Sequence, residues 1–154
     1  MTGHFYNPNI HPYKEFSRRL ETLQNFANLQ DLPLVVDNKY GLTEFIRKVV
    51  FHEKERCDIC YAMRLEKCAV LARESGYDLF STTLLYSRFQ RHKGLVALGN
   101  QLAEAYGVAF YYQDFRQGWQ YGIDRSIELE MYRQPYCGCI YSEQERYDKS
   151  LSKK

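Results

Sequence analysis

Hydrophobic positions along the chain alternate between helix-like and strand-like spacing. Apolar residues that recur every three or four positions predict an amphipathic helix from Tyr13 to about Leu29, and similar stripes or helix-end signals mark four more. The second helix is predicted to run from a cap at Thr43 to about Phe51, and the third from the Cys57 region to Gly76. The fourth covers 93–107 and ends in Gly107, and the fifth runs from Tyr121 to Met131. Short apolar runs predict strands between them, at 4–6, 33–37, 78–85 and 108–113.

The alternation of strands and helices indicates the fold class. Strands separated by helices of ten residues or more favour parallel pairing through right-handed crossover connections. The predicted fold is therefore α/β, with a mostly parallel sheet flanked by helices. Catalytic and ligand-binding groups in such folds gather at the carboxyl ends of the strands. Three segments emerge there, namely NPN at 7–9, the residues after Ser81, and QDFRQG at 113–118.

Length and composition indicate an ordinary globular protein. The 154 residues suit one domain, which we place at 1–142, followed by a flexible polar tail over 143–154. Apolar residues make up 45% and charged residues 26%, and the net charge of +2 is too small to indicate nucleic-acid binding by itself. Because no apolar run approaches the ~18 residues of a membrane span and no signal peptide is present, we expect a cytoplasmic protein without a membrane partner.

The cysteines have the most informative spacing in the chain. Cys57 and Cys60 form a C-x-x-C motif at the predicted start of a helix, and Cys137 and Cys139 form a C-G-C motif. In a reducing compartment, clustered thiols are more often metal ligands or catalytic groups than structural disulfides. Cys68 follows Cys57 on the same helix at a distance of about 16 Å, given a rise of ~1.5 Å per residue, so we assign it to the core.

The spacing of the two cysteine pairs leaves several functions open. Four thiolates suit a structural zinc ion or part of an iron–sulfur cluster, and spacing alone does not choose between the metals. A C-x-x-C pair at a helix start also suits a redox disulfide, because the helix dipole favours the thiolate. A zinc-stabilised RNA-binding module and a thiol–disulfide oxidoreductase are therefore alternatives, beside two pairs of purely structural thiols.

Several other polar and aromatic side chains suit RNA, although each has a simpler explanation. A basic run formed by Arg88, Arg91, His92 and Lys93 would contact phosphates, and a solvated helix start explains it equally well. The 14 tyrosines include surfaces on which an unpaired base could stack, but most aromatics in a small α/β domain belong to the core. The histidines, including His11, are interpreted as solvated or hydrogen-bonded side chains rather than ligands.

Five segments carry a family resemblance. They are FYNPNIHP (5–12), RCDICYAMRLEK (56–67), FSTTLL (80–85), YGVAFYYQDFRQG (106–118) and YRQPYCGCIYS (132–142). In this order they closely resemble the cobalamin-independent, iron–sulfur epoxyqueuosine reductases, and the YRQ-x-YCGC string is highly specific. The resemblance covers nearly the whole chain, and it implies a fold related to nucleotide-hydrolase and PP-loop-like α/β proteins.

The resemblance also implies an activity. Members of this family perform the last step of queuosine biosynthesis, the two-electron reduction of epoxyqueuosine to queuosine at the wobble position of transfer RNA. It implies a 4Fe-4S cluster bound in part by Cys57 and Cys60. It makes Cys137 and Cys139 either a catalytic redox dithiol or further metal ligands, which would allow an additional iron. The implied partners are transfer RNA with epoxyqueuosine in its anticodon loop and an unidentified electron donor.

The sequence departs from the family pattern at its N-terminal end, and some residues at motif positions have no assigned role. Family members begin with a strand and helix that carry a Cys-Cys-x-Pro motif, whereas this chain opens at the strand equivalent to the family's second. We therefore expect an in-frame upstream segment with adjacent cysteines, or a shortened relative. Four further residues fall on motif positions without an assigned individual role, namely Asp114, Arg116, Arg133 and Gln134.

Overall fold

Two parallel β-α-β connections organise residues 1–150, the part of the chain that the computed structural model describes. The α/β class and the parallel pairing of strands are confirmed. The strands form two separate two-stranded sheets instead of the one sheet predicted, because each pair belongs to a different compact unit. One unit comprises Met1–Val50 with the residues from Glu130 onward, and the other comprises Phe51–Leu129. The assignment of 1–142 to a single domain stays a prediction.

The first unit is built on one crossover. Strand β1 (Gly3–Phe5) pairs in parallel with β2 (Leu34–Val36), and helix α1 (Tyr13–Leu29) connects them, which confirms the predicted helix. The apolar stripe of α1 packs against the strands, with Phe5, Ile10 and Phe16 at the centre of the cluster.

The next helix of this unit, α2 (Leu42–Val49), has Gly41 at its N-cap, so the predicted cap at Thr43 is wrong. A Cβ at position 41 would lie 2.6 Å from the Cα of Pro8, so the backbone packs too closely there for any other residue.

A helix near the end of the described chain was not predicted from the sequence. Helix α6 (Ile140–Tyr147) covers the first part of the segment interpreted as a polar tail from 143 onward. It buries none of its residues, so it has no hydrophobic stripe from which a helix could be recognised. The part of the predicted tail at 151–154 lies outside the described residues.

The second unit contains a longer succession of elements. These are α3 (Arg56–Glu74), β3 (Leu79–Phe80), a 3₁₀ turn (Thr83–Tyr86), α4 (His92–Tyr106), β4 (Ala109–Phe110), a second 3₁₀ turn (Phe115–Gly118) and α5 (Trp119–Glu128). Strands β3 and β4 pair in parallel, and both α3 and α4 contribute buried side chains to one core cluster. Gly76 and Gly107 have φ values of 70° and 66°, which confirms both predicted helix ends. No helix among residues 1–150 has the length and apolar character needed to cross a membrane.

Two details of the second unit test the sequence interpretation. The strand predicted over 78–85 ends at Phe80, because the hydroxyl of Thr82 accepts a hydrogen bond from the amide of Leu84 at 3.2 Å and begins the 3₁₀ turn. Cys68 packs against the core cluster, and its sulfur lies 3.8 Å from the carbonyl oxygen of Ser81. Burial raises the pKa of the Cys68 thiol, and the assignment of this cysteine to the core is confirmed.

Gly99 provides a test of packing in the second unit. A Cβ at this buried position of α4 would lie 2.6 Å from Cζ of Phe110, so Gly99→Ala forces the ring or the helix to move. We expect a loss of about 1–3 kcal/mol in the free energy of unfolding, measured by urea denaturation. The matched control is Gly94→Ala on the same helix, where the nearest side-chain atom is 3.9 Å away. That change should be neutral or stabilising by up to about 1 kcal/mol, and equal effects at the two glycines would contradict the packing described.

Candidate functional site

The C-x-x-C motif lies at the start of α3, as the sequence predicted, with Cys57 in the first turn and Cys60 at the beginning of the second. Cys57 is half-buried and Cys60 is buried, with 9% of its surface exposed. Residues three positions apart lie on the same side of a helix, so both sulfurs belong to one face. The first turn of a helix lies at the positive end of the helix dipole, which favours anionic sulfur ligands there, whereas the burial of Cys60 acts against charge on its sulfur. This end of α3 therefore suits two sulfur ligands or a reactive pair.

Hydrogen bonds join this end of α3 to the start of α4. The hydroxyl of Tyr61 donates to Oε1 of Gln90 at 2.8 Å and accepts from the amide of Arg91 at 3.1 Å. The guanidinium of Arg91 also contacts Oδ2 of Asp58 at 2.7 Å. Burial raises the pKa of Tyr61, so its hydroxyl keeps the proton that this network uses. The network fixes Asp58, which lies between the two cysteines, and Tyr61, which directly follows the second.

The carboxyl ends of β3 and β4 lie at this same end of the second unit. Nε2 of His92, the first residue of α4, is 3.2 Å from the hydroxyl oxygen of Tyr112, which follows β4. The hydroxyl of Ser81, which follows β3, donates to the carbonyl of Tyr111 at 2.8 Å. The starts of α3 and α4 and the ends of two parallel strands thus face one region, which is where α/β folds place their chemistry.

Two of the motif residues without an assigned role form an ion pair after β4. Nε and Nη2 of Arg116 lie 2.8 and 2.7 Å from the two carboxylate oxygens of Asp114. This double hydrogen bond lowers the pKa of the Asp114 carboxyl well below its usual range. Because the guanidinium and the carboxylate satisfy each other, the pair holds the turn after β4 in shape.

The C-G-C motif forms a tight loop against the first unit. Gly138 has a φ of 116°, and a Cβ there would lie 2.9 Å from Cγ1 of Ile10. The carbonyl of Gly138 accepts a hydrogen bond from the amide of His11 at 2.8 Å, and the hydroxyl of Tyr136 donates to the His11 carbonyl. Only glycine fits both the backbone conformation and the space, so the loop is fixed to the segment after β1.

A buried arginine of α1 clamps the C-G-C loop from the other side. Nη1 and Nη2 of Arg19 donate to the carbonyls of Cys137 and Tyr136 at 3.0 and 2.9 Å, while Nε contacts Glu15 at 2.7 Å. Sequence reasoning missed Arg19. Its position three residues after Phe16, within the apolar stripe of α1, is the signal that could have identified it as a buried charge.

Removal of this guanidinium should destabilise the first unit. Arg19→Gln removes the guanidinium that two loop carbonyls accept from, and it leaves the Glu15 carboxylate, 12% exposed at its side chain, with only the Tyr132 hydroxyl as a side-chain donor at 2.7 Å among the described contacts. We expect a loss of about 2–4 kcal/mol in the free energy of unfolding, measured by urea denaturation. The adjacent Arg18→Ala is the control, because Arg18 is exposed and only stacks on Tyr132 at 3.9 Å. It should cost less than about 1 kcal/mol, and similar losses for both variants would contradict the clamp.

The two sulfurs of the C-G-C motif have different surroundings. Cys139 is buried, with 6% of its surface exposed, and its carbonyl accepts hydrogen bonds from the first-turn amides of α6. Cys137 is exposed, and its sulfur lies 3.0 Å from the hydroxyl oxygen of Ser142. One thiol is therefore open to a reaction partner while the other is held at the start of a helix.

Polar atoms without partners lie in the segment on which the C-G-C loop packs. Asn9 and His11 are 2% and 1% exposed, and within residues 1–150 neither Oδ1 of Asn9 nor either ring nitrogen of His11 has a hydrogen-bond partner. The imidazole packs against the rings of Tyr40 and Phe45, and burial lowers its pKa. His11 is therefore buried rather than solvated, and the backbone of Pro8 is the polar group that acts on its ring. Buried polar atoms of this kind are rare in native proteins, and a bound water, an ion, backbone strain or a catalytic role accounts for them.

The structure describes the two cysteine pairs in separate units. Cys57 and Cys60 belong to the second, and Cys137 and Cys139 belong to the first. Within residues 1–150, no group of three or more histidine, cysteine or acidic side chains is arranged to bind one metal ion. Each pair lies at the start of a helix, Cys57 and Cys60 at α3 and Cys137 and Cys139 at α6. The start of α3 is at the same end of its unit as the carboxyl ends of β3 and β4, and the loop before α6 packs on the segment that follows β1.

Comparison with known proteins identifies the family. A family model described as Epoxyqueuosine reductase QueH matches residues 1–145. The protein named Epoxyqueuosine reductase QueH of Dehalococcoides mccartyi is 38% identical over 152 residues, which cover 99% of this chain and 84% of the relative. Its namesake of Thermotoga maritima is 39% identical over 158 residues, which cover 94% and 80% of the two chains. The match spans both cysteine pairs and the segments that position them, and we conclude that this chain belongs to the epoxyqueuosine reductase QueH family.

Proposed function

We propose that this protein is an epoxyqueuosine reductase, which reduces epoxyqueuosine in transfer RNA to queuosine. The observation that carries the proposal is membership of the QueH family over residues 1–145, since its members carry this name. In the proposed reaction two electrons and two protons enter, both carbon–oxygen bonds of the epoxide break, a carbon–carbon double bond forms and water leaves. The electrons come from a donor that remains to be identified.

A 4Fe-4S cluster bound in part by Cys57 and Cys60 is the cofactor that we propose. The donor set fits, because both thiols lie on one face at the start of α3 and cysteine sulfurs are the ligands of iron–sulfur clusters. When bound, such a cluster supplies single electrons and an iron that polarises oxygen. The protein itself contributes the network of Tyr61, Gln90 and Arg91, which holds this turn in place.

For Cys137 and Cys139 we propose a redox dithiol as the catalytic role. Oxidation of two thiols to one disulfide releases two electrons and two protons, which is the amount that reduction of one epoxide consumes. The exposed Cys137 sulfur is open to exchange with a reductant, while Cys139 is buried beside it. Ligation of an additional iron is the other role open to this pair, and it predicts a different outcome in the experiments below.

The substrate that we propose is transfer RNA with epoxyqueuosine in the anticodon loop. A modified base in that loop has to be turned out of its stack before its ring reaches protein side chains. The ends of β3 and β4, with the start of α3 beside them, offer such a base a surface lined by hydroxyl groups.

Complementation in cells tests the proposed activity. In a bacterial strain without its own epoxyqueuosine reductase, we expect this gene to convert epoxyqueuosine in transfer RNA to queuosine, detected as the loss of one oxygen atom by nucleoside mass analysis. A Cys57→Ser, Cys60→Ser double variant is the control and should leave epoxyqueuosine unchanged. Accumulated epoxyqueuosine despite normal expression of the unsubstituted protein would contradict the proposal. If metal analysis of the purified protein finds one zinc and no iron, the alternative of a zinc-stabilised RNA-binding module is favoured.

A further inference from the structure

A group of stacked aromatic rings lies on the surface of the second unit. The rings of Tyr86 and Trp119 stack at a centroid distance of 5.1 Å, and Phe89 meets Trp119 edge-on at 5.8 Å. The guanidinium of Arg88 lies 5.7 Å from the centroid of the Trp119 ring. We call these four residues the Trp119 platform. Phe89 forms its outer end and is 82% exposed, although it contacts the Trp119 ring.

The platform is held in shape by packing. The hydroxyl of Tyr86 donates to the carbonyl of Trp119 at 2.8 Å. A Cβ at Gly122 would lie 2.9 Å from Cζ of Tyr86, so the backbone of α5 packs directly on that ring. The amide of Phe89 donates to the hydroxyl of Ser87 at 3.3 Å, which fixes the turn that carries it. A surface ordered in advance loses little conformational entropy when a ligand binds.

The charge around the platform favours a polyanion. The segment 86–93 contains Arg88, Arg91 and Lys93 and no acidic residue. Arg91 is paired with Asp58, while Arg88 and Lys93 are exposed. Here an exposed ring, that of Phe89, continues a half-buried stack beside exposed cations. Proteins use aromatic rings beside cations to bind single-stranded nucleic acid, because bases stack on the rings and phosphates pair with the cations.

The platform lies at the same end of the second unit as the C-x-x-C motif. Tyr86 belongs to the turn that follows β3, and Trp119 begins α5 after the turn that follows β4. The basic run leads into α4, whose start is tied to α3 by the contact of Arg91 with Asp58, the residue after Cys57. A strand of RNA on the platform therefore lies next to the region where we place the chemistry.

We propose that the Trp119 platform binds unpaired nucleotides of the transfer RNA anticodon loop, with bases stacked on Phe89 and Trp119 and phosphates paired with Arg88. The proposal rests on the proposed function only for the identity of the RNA. A protein electron donor would use an apolar ring equally well but has no need of unpaired cations beside it, so RNA is the occupant that the charge favours.

Binding of an anticodon stem-loop RNA tests the platform. By fluorescence anisotropy of the labelled RNA at fixed salt, we expect Phe89→Ala to weaken binding about 5- to 150-fold, the range that corresponds to loss of one stacked base. Arg88→Ala should weaken binding and also reduce the slope of log K against log salt by roughly 0.7, as expected for one phosphate contact on a single strand.

Two matched controls are available in the same unit. Phe51 is a second highly exposed phenylalanine, at 91%, and Arg73 also lies over a ring, that of Tyr106, at 5.4 Å. Arg73 and Tyr106 lie at the C-terminal ends of α3 and α4, away from the cysteine end. Phe51→Ala and Arg73→Ala should leave RNA affinity within about twofold of the unsubstituted protein. All four substituted side chains are at the surface, and urea denaturation verifies that each variant folds.

The binding readout separates this inference from the proposed function. If the protein reduces epoxyqueuosine but Phe89→Ala and Arg88→Ala bind RNA normally, the platform inference is wrong and the function stands. If both variants lose affinity while the unsubstituted protein reduces nothing, the platform stands and the function is wrong. Normal RNA affinity in both variants, together with loss of turnover only when a protein reductant supplies the electrons, would overturn the inference in favour of a donor-docking surface.

Discussion

Replacement of Cys57 or Cys60 by serine should remove most of the iron and acid-labile sulfide from protein expressed from its whole gene and reconstituted without oxygen. A serine hydroxyl does not replace a thiolate ligand, and the iron it leaves open is exposed to water and oxidation. We therefore expect loss of the cluster, with the brown colour and its visible absorption, and a drop in epoxyqueuosine reduction by more than about 100-fold. The measurements are iron and sulfide content with activity on the same samples.

Cys68 is the internal control for this experiment. It lies on the same helix as the pair, but it packs against the core cluster and burial raises its pKa, which disfavours a thiolate ligand. Cys68→Ala should retain iron and sulfide even where it lowers the free energy of unfolding, because only packing is lost. Undiminished iron and sulfide in both Cys57→Ser and Cys60→Ser would assign these cysteines to structure and remove the proposed cofactor site.

Replacement of Cys137 or Cys139 by serine should abolish reduction while leaving iron content nearly normal. A dithiol that passes electrons is needed in every turnover but does not hold the cluster, so activity should fall by about 10³-fold or more as the disulfide can no longer form. Activity and iron are measured together on each variant. The control is Ser142→Ala, which removes the hydroxyl 3.0 Å from the Cys137 sulfur but keeps both thiols, and its effect should be at most about tenfold.

Two results would contradict the dithiol role. Loss of iron in proportion to activity would make the C-G-C pair a set of metal ligands. Full activity in a double variant with both cysteines replaced would reduce the motif to a tight turn, fixed by Gly138 and Arg19 for the sake of the fold.

Features carried by local sequence were predictable, and those that depend on tertiary contacts were not. The limits of α1 follow from its apolar stripe, and the ends of α3 and α4 follow from Gly76 and Gly107. By contrast, α6 has no buried face, and the apolar run after Phe80 looks like strand until the Thr82 hydroxyl caps a turn. The division of the four strands into two sheets depends on which segments share a hydrophobic core, and no local sequence pattern determines this division.

The candidate site shows the same division. The spacing of the cysteines pointed to both motifs and to a helix start for the first. Their surroundings did not follow from spacing, since the Arg19 clamp joins residues more than 100 positions apart in the chain. The buried ring of His11 likewise depends on Tyr40 and Phe45, which reach it only in the folded unit. Residue types therefore indicate the chemistry, and long-range packing determines the burial and the contacts of the residues that perform it.

Conversion of purified substrate tests the central claim most directly. Transfer RNA that carries epoxyqueuosine is incubated without oxygen with the reconstituted protein and a low-potential chemical reductant, and its nucleosides are analysed by mass. The account predicts queuosine in amounts that exceed the enzyme by many turnovers, none without protein, and none with Cys57→Ser. Unchanged epoxyqueuosine after incubation with protein that contains its full complement of iron and sulfide would contradict it.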